Sequence, residues 1–177
     1  MIIDETRILL AVDPGESPGL CVVARGEVHF AGQDPDAARA VIVALPGAAR
    51  VITLIEKPVI RPGGKSRPND QITLALAGGC LALRACPWAE RVEGVEPVRW
   101  KGSLKKEVHH AQIRKVLSRG VGSPLGLSWL RAWDLAPVHD VRDAIALAHW
   151  RLSPAYSPVA TTPAETWRGI SDAEWIR

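Results

Sequence analysis

The chain is poor in phenylalanine and tyrosine, with one of each against seven tryptophans, so any stacking on flat ligands falls to tryptophan. Cysteine is scarce as well. Cys21, Cys80 and Cys86 make an odd count without a CxxC pair, which excludes a disulfide framework and a cysteine-built metal site. Reduced thiols and a cytoplasmic protein are the matching expectation. No apolar run reaches the ~20 residues needed to span a membrane; the longest covers residues 72–83. The first apolar run has five residues and follows Asp4 and Glu5, too short for a signal peptide and wrongly flanked. Neither sign of charge dominates: 22 Lys and Arg face 19 Asp and Glu, a net +3. That balance permits nucleic-acid binding without requiring it.

What is present fits one globular domain with a real core: 177 residues, 47% hydrophobic and 23% charged. The apolar run ILLAV closes at Asp13-Pro14-Gly15 and reads as a buried strand ending in a turn. Residues 19–25 and 28–31 follow as two further strands, an antiparallel meander. Residues 34–45 read as a helix, 50–56 as a strand parallel to the first, and 57–69 as a loop. Asp70 is the expected cap of a helix to about residue 85. A fifth strand lies within 91–100, Ser103 is the expected cap of a charged helix to about 118, and a last helix runs from Asp140 to about 152. This order predicts an α/β fold with a mixed five-stranded sheet. Residues 1–152 form the expected domain, and 153–177 a Pro- and Trp-containing tail docked on it.

Four carboxylates sit at the ends of apolar segments: Asp13, Glu56 after VITLI, and Asp140 with Asp143 ahead of AIALA. Like charges a few ångströms apart raise each other's pKa, so a fold that gathers acids at one rim calls for a cation. Oxygen donors without nearby cysteine suit Mg²⁺, or Mn²⁺. Asp13 and Glu56 end strands expected to be neighbours, and the carboxyl ends of such strands collect ligands. Asp140 and Asp143 lie one helical turn apart on one face. Converging, the four can hold two divalent ions ~3.5–4 Å apart, one activating a water and one stabilising the departing oxygen. Each acid also has a plainer reading: a turn residue for Asp13, a helix cap for Asp140, a dipole partner for Asp143. Glu56 has no turn role.

The ordered set ILLAVDPG, PGLCVV, LIEKP, ITLALAGGCLALRA, PVRWKGSLKKEVHHAQIRKVL and HDVRDAIALAHW resembles the RuvC-type Holliday-junction resolvases of the RNase H-like superfamily. The resemblance implies an RNase H-like fold, metal ligation by Asp13, Glu56, Asp140 and Asp143, and a Mg²⁺-dependent endodeoxyribonuclease acting on branched DNA as a homodimer. The first helix is shorter than in the housekeeping enzymes, and Val59 and Ile60 stand where those place an aromatic. The departures point to a divergent, phage-type member.

Lys57, Arg61, Lys65 and Arg67 follow the second strand-end acid, and Lys101 and Lys105 flank the charged helix. All six are candidate phosphate contacts; a solvated loop and a charged helix face are the alternatives. His139 precedes the helix acids and either orients a ligand or is satisfied by backbone. His109 and His110, neighbours on a helix, are expected at the surface. Trp129, Trp133, Trp150, Trp167 and Trp175 can stack on bases or fill core and dock the tail. The helix over 70–85 is apolar nearly all round, and Gly78 and Gly79 each cost roughly 1 kcal/mol there relative to Ala. Ala75, Gly78, Gly79 and Ala82 are therefore the expected dimer contact, with deep burial in a monomer as the alternative. Three activities remain open: junction resolvase, RNase H-like nuclease on RNA–DNA hybrid or single strands, and non-catalytic junction binder. A sugar-kinase-like phosphotransferase lacks support, because no second Gly-rich phosphate loop is present.

Overall fold

Ile8, Leu10 and Val12 of strand β1 (Ile8–Asp13) pack on one side of a sheet, and Leu9 and Ala11 on the other. Both sets are buried, so helices must cover both faces. The computed structural model describes residues 7–15, 17–58, 67–120 and 124–153. β1 pairs antiparallel with β2 (Gly19–Ala24), which pairs antiparallel with β3 (Glu27–Gly32). The β2–β3 turn puts Arg25 at φ 52° and Gly26 at φ 80°, the positive pair that suits a tight hairpin. On its other side β1 pairs parallel with β4 (Val51–Glu56), and β4 with β5 (Arg91–Val95). The order β3-β2-β1-β4-β5 is the mixed five-stranded α/β sheet expected from the sequence.

Helices α1 (Pro35–Ala44) and α2 (Pro68–Ala85) cover the Ile8 face, where Ala38, Ile42, Ala82 and Ala85 enter the core. Helices α3 (Pro97–Trp100), α4 (Lys106–Arg119), α5 (Pro124–Leu135) and α6 (His139–Leu152) build the opposite face. Ala144 through Ala148 of α6 are all buried, so this helix is wrapped by sheet and neighbouring helices. Trp129 and Trp133 of α5 are buried core residues, and Trp150 packs against the same core. Trp129 also donates from Nε1 to the Gly26 carbonyl at 2.7 Å. Trp167 and Trp175, like the tail beyond Ser153, lie outside the described residues. Among the described residues no helix is long and apolar enough to cross a membrane.

Three local expectations are corrected. Asp34 caps α1, accepting from the Asp36 N–H at 2.8 Å. Asp70, in contrast, lies inside the first turn of α2, which starts at Pro68 because proline's fixed φ suits the first helical position. Ser103 does not cap α4: Lys101–Ser103 form a turn through Gly102 at φ 62°, and the helix starts at Lys106. The four small residues of α2 also divide. Gly78 and Ala82 are buried against the chain's own sheet, and a Cβ at Gly78 would press on Ile55 and Pro14. Ala75 and Gly79 lie outward, beside Ile72, Leu76 and Leu83, which are 51%, 58% and 63% exposed.

One ion pair inside this framework is buried. Arg151, at the end of α6, donates from Nε and an Nη to the two oxygens of Glu93 on β5, at 3.0 and 3.2 Å. Removing one member of a buried pair costs about 3–5 kcal/mol, because the other keeps its desolvation cost. Glu93→Ala should lower the unfolding free energy from urea titration by that amount, and replacing both residues with leucine should cost less than the single change.

Candidate metal centre

Alternation along the strands determines where the first two acids point. Leu9 and Ala11 lie on the α6 face of β1, so Asp13, two residues on, faces α6 as well. Ile52 and Leu54 place Glu56 on that face of β4, and the pairing of Val12 with Ile55 sets Asp13 beside Glu56. The first turn of α6 reaches the same end of the sheet. It gets there because Gly15 and Gly19 have no side chain: a Cβ at Gly15 would collide with the Asp140 carboxylate, and one at Gly19 with the Asp140 carbonyl. The Ser17 N–H then donates to Asp140 Oδ2 at 3.1 Å.

Asp13, Asp140 and Asp143 each bring a carboxylate oxygen within 4.8 Å of the others. Asp143 is 1% exposed and Asp13 6%. Glu56 stands beside them, held by Trp100 Nε1 at 2.9 Å and by Lys101 Nζ at 3.0 and 3.2 Å. Lys106 Nζ reaches Asp143 Oδ2 at 3.0 Å and Asp140 Oδ1 at 3.2 Å. His110 Nε2 lies 2.6 Å from Asp143 Oδ1. A cleft opens beside Asp13 and Glu56, walled by Pro14, Gln71, Leu74 and Pro97. This buried acidic group can bind a metal ion.

The acids are not electrostatically equal. Burial raises the Asp13 carboxyl to about 8, helped by the charges of Glu56, Asp143 and Asp140 and opposed by Lys101. Burial also raises Glu56, against the pull of Lys101 and the hydrogen bonds from Lys101 and Trp100. For Asp143 burial pushes upward too, but hydrogen bonds from His110 and Lys106, with the two lysine charges, hold it below the usual carboxylate range. At neutral pH and without a cation, Asp143 is ionised and Asp13 largely protonated.

The basic candidates scatter. Lys101 is at the site, whereas Lys105 is an exposed residue at the N-cap of α4 and its neighbour Lys106 is the one that touches the acids. Lys57 is exposed and pairs with Glu96 at 3.8 Å. Arg67 is exposed at the N-cap of α2. Arg61 and Lys65 lie outside the described residues.

His109 and His110 are not surface residues: both are buried, at 4% and 9% exposure. Adjacent helix positions differ by about 100°, and the apolar stripe of a packed helix is at least that wide. His109 meets Trp100 edge-on at 5.1 Å and His110 meets Trp133 at 5.3 Å, so each faces a different wall. His139 is exposed and stacks on His110 at 5.7 Å. The overlooked signal was the i, i+3, i+4 spacing of Lys106, His109 and His110, which marks one helix face.

No protein-family model and no curated protein matches the sequence. Among solved structures, the Thermus thermophilus RuvC structure is similar at 19% identity and a TM-score of 0.42, covering 81% of this chain and 92% of that one. At that score the likeness carries no weight for function.

The raised Asp13 carboxyl has a measurable sign. The native state holds a proton on Asp13 from the unfolded value of 3.8 up to about 8, so stability falls as pH rises through that window. Asp13→Asn should therefore stabilise the chelator-treated protein, with a gain that grows from pH 5 to pH 8. Thermal melts should show several degrees at the upper end, since 1 kcal/mol is worth roughly 2–4 °C in a domain of this size.

Proposed function

We propose that the chain is a metal-dependent endodeoxyribonuclease that hydrolyses phosphodiester bonds in branched DNA, four-way junctions above all. The observation that carries this reading is the meeting of Asp13, Asp140 and Asp143 beside Glu56 at one end of the sheet. The donors fit the Mg²⁺ or Mn²⁺ expected from the sequence: all are carboxylate oxygens, and Asp13 and Asp143 are buried. Asp13, Glu56, Asp140 and Asp143 would hold the cations, two per site. Bound there, divalent ions supply an activated water and charge stabilisation for the departing oxygen.

The remaining work falls to the chain's own groups. Trp100 and Lys101 fix the Glu56 carboxylate from one side, and His110 fixes Asp143 from the other. Lys101 and Lys106 lie against the acids and are placed to turn toward a phosphate brought into the cleft. Asp13 would have to lose its proton to serve as a ligand. Lys57, Arg61, Lys65, Arg67 and Lys105 are assigned to flanking phosphates, where they add affinity without reading sequence.

A cleavage assay with Mg²⁺ on four-way junction, duplex, flap and RNA–DNA hybrid tests the reading. The junction should be cut fastest, and Asp143→Asn should lose cleavage by at least roughly a hundredfold while still shifting junction DNA in a gel. Preferential cutting of the hybrid would move the chain to an RNase H-like activity. Absence of cutting on every substrate would leave a junction-binding protein.

Paired cuts across a junction need two sites, and we assign the second to another copy of this chain docked through α2. Ile72, Ala75, Leu76, Gly79 and Leu83 follow the 3–4 spacing of a helix–helix seam, and among the described residues nothing beyond the local helix backbone lies within 4 Å of where a Gly79 Cβ would stand. A twofold contact can be built from one helix facing its own copy. Light scattering at micromolar concentration should give a dimer mass, and Gly79→Arg should halve it by setting two charges across the axis.

A further inference from the structure

We propose that His109, His110 and Asp143 form a second cation site, one that takes a borderline transition ion of the Zn²⁺ class rather than Mg²⁺. The three residues each offer a ligand atom within 4.8 Å of the other two. Two imidazoles and one carboxylate are a donor set that Mg²⁺ avoids and Zn²⁺, Co²⁺ or Cu²⁺ prefers. Three protein donors leave a fourth position open to water.

An independent observation points to a ligand. His109 is 4% exposed, and its Nδ1 is buried without a hydrogen-bond partner among the described residues. A buried ring nitrogen left unsatisfied costs free energy that a metal bond would offset. Asp143 is the shared member: Oδ1 faces His110, and Oδ2 faces Lys106, which also reaches Asp140. One carboxylate can therefore serve both centres, with an oxygen toward each.

The adjustment required is small. Donors around a tetrahedral ion with bonds near 2.0–2.1 Å end up roughly 3.3 Å apart. The His110–Asp143 contact, now 2.6 Å, must open by less than about 1 Å, and His109 must close in from no more than 4.8 Å. Trp100 and Trp133 flank the two rings edge-on and keep them from swinging toward solvent.

The site does not depend on the nuclease reading, and its test contains no DNA. Co²⁺ is titrated into the full-length, chelator-treated protein in excess Mg²⁺, with visible absorption as the readout. One tightly bound Co²⁺ with a low-coordinate spectrum that Mg²⁺ does not displace is expected. His109→Gln and His110→Gln should each weaken it by roughly tenfold or more, whereas His139→Gln and Asp140→Asn should leave it intact. Displacement by Mg²⁺, or full binding in both His109 and His110 variants, would overturn the proposal. Should those variants fail to fold, Cu²⁺ electron paramagnetic resonance on the native protein decides: coupling to two imidazole nitrogens supports the site, and coupling to none or one removes it.

Discussion

Mutual repulsion among four carboxylates at a nearly dry rim is the constraint around which the rest of this structure is arranged. Asp13 and Asp143 have almost no contact with water, so solvent cannot screen them. The chain meets the repulsion in two ways. It leaves Asp13 protonated, and it brings Lys101, Lys106 and His110 against the others. Both are reversible, which is what separates a ligand site from a structural ion pair. Glu93 and Arg151, a buried pair with mutual bidentate hydrogen bonds, show the structural alternative within the same molecule.

The two faces of the sheet divide the labour. The face under α1 and α2 is filled by Ile8, Leu10, Val12, Leu20 and Val22, aliphatic side chains without polar atoms. The face under α4, α5 and α6 carries Trp100, Trp129, Trp133, the buried histidines and all four acids. Buried polar atoms are tolerated mainly where they are hydrogen-bonded, and this face supplies partners for most of its own, His109 Nδ1 excepted. Trp100 bonds Glu56, Trp129 bonds Gly26, and His110 bonds Asp143. The scarcity of phenylalanine thus has a local counterpart: the aromatics chosen here have a donor at one end.

Asp13 and Glu56 were legible because strand alternation is rigid: once Leu9, Ala11, Ile52 and Leu54 are core, the next position on each strand has only one side to face. Asp140 and Asp143 were legible from their one-turn spacing. Lys106, His109 and His110 are less legible, because a turn at Gly102 delays α4 and because adjacent helix positions point about 100° apart, so nothing in the sequence alone marks both histidines as buried. At α2, Pro68 rather than Asp70 sets the start, and helical phase sends Gly78 and Ala82 inward and Ala75 and Gly79 outward.

The close seating of α6 against the β1–β2 turn also sets an order in time. Asp13 and Glu56 are synthesised early, and Asp140 and Asp143 on the last described helix. Because Gly15 and Gly19 lie directly against Asp140, the acidic rim exists only after a closure spanning more than a hundred residues, the kind of contact that forms late in folding. Assembly of the rim therefore waits on the docking of α6.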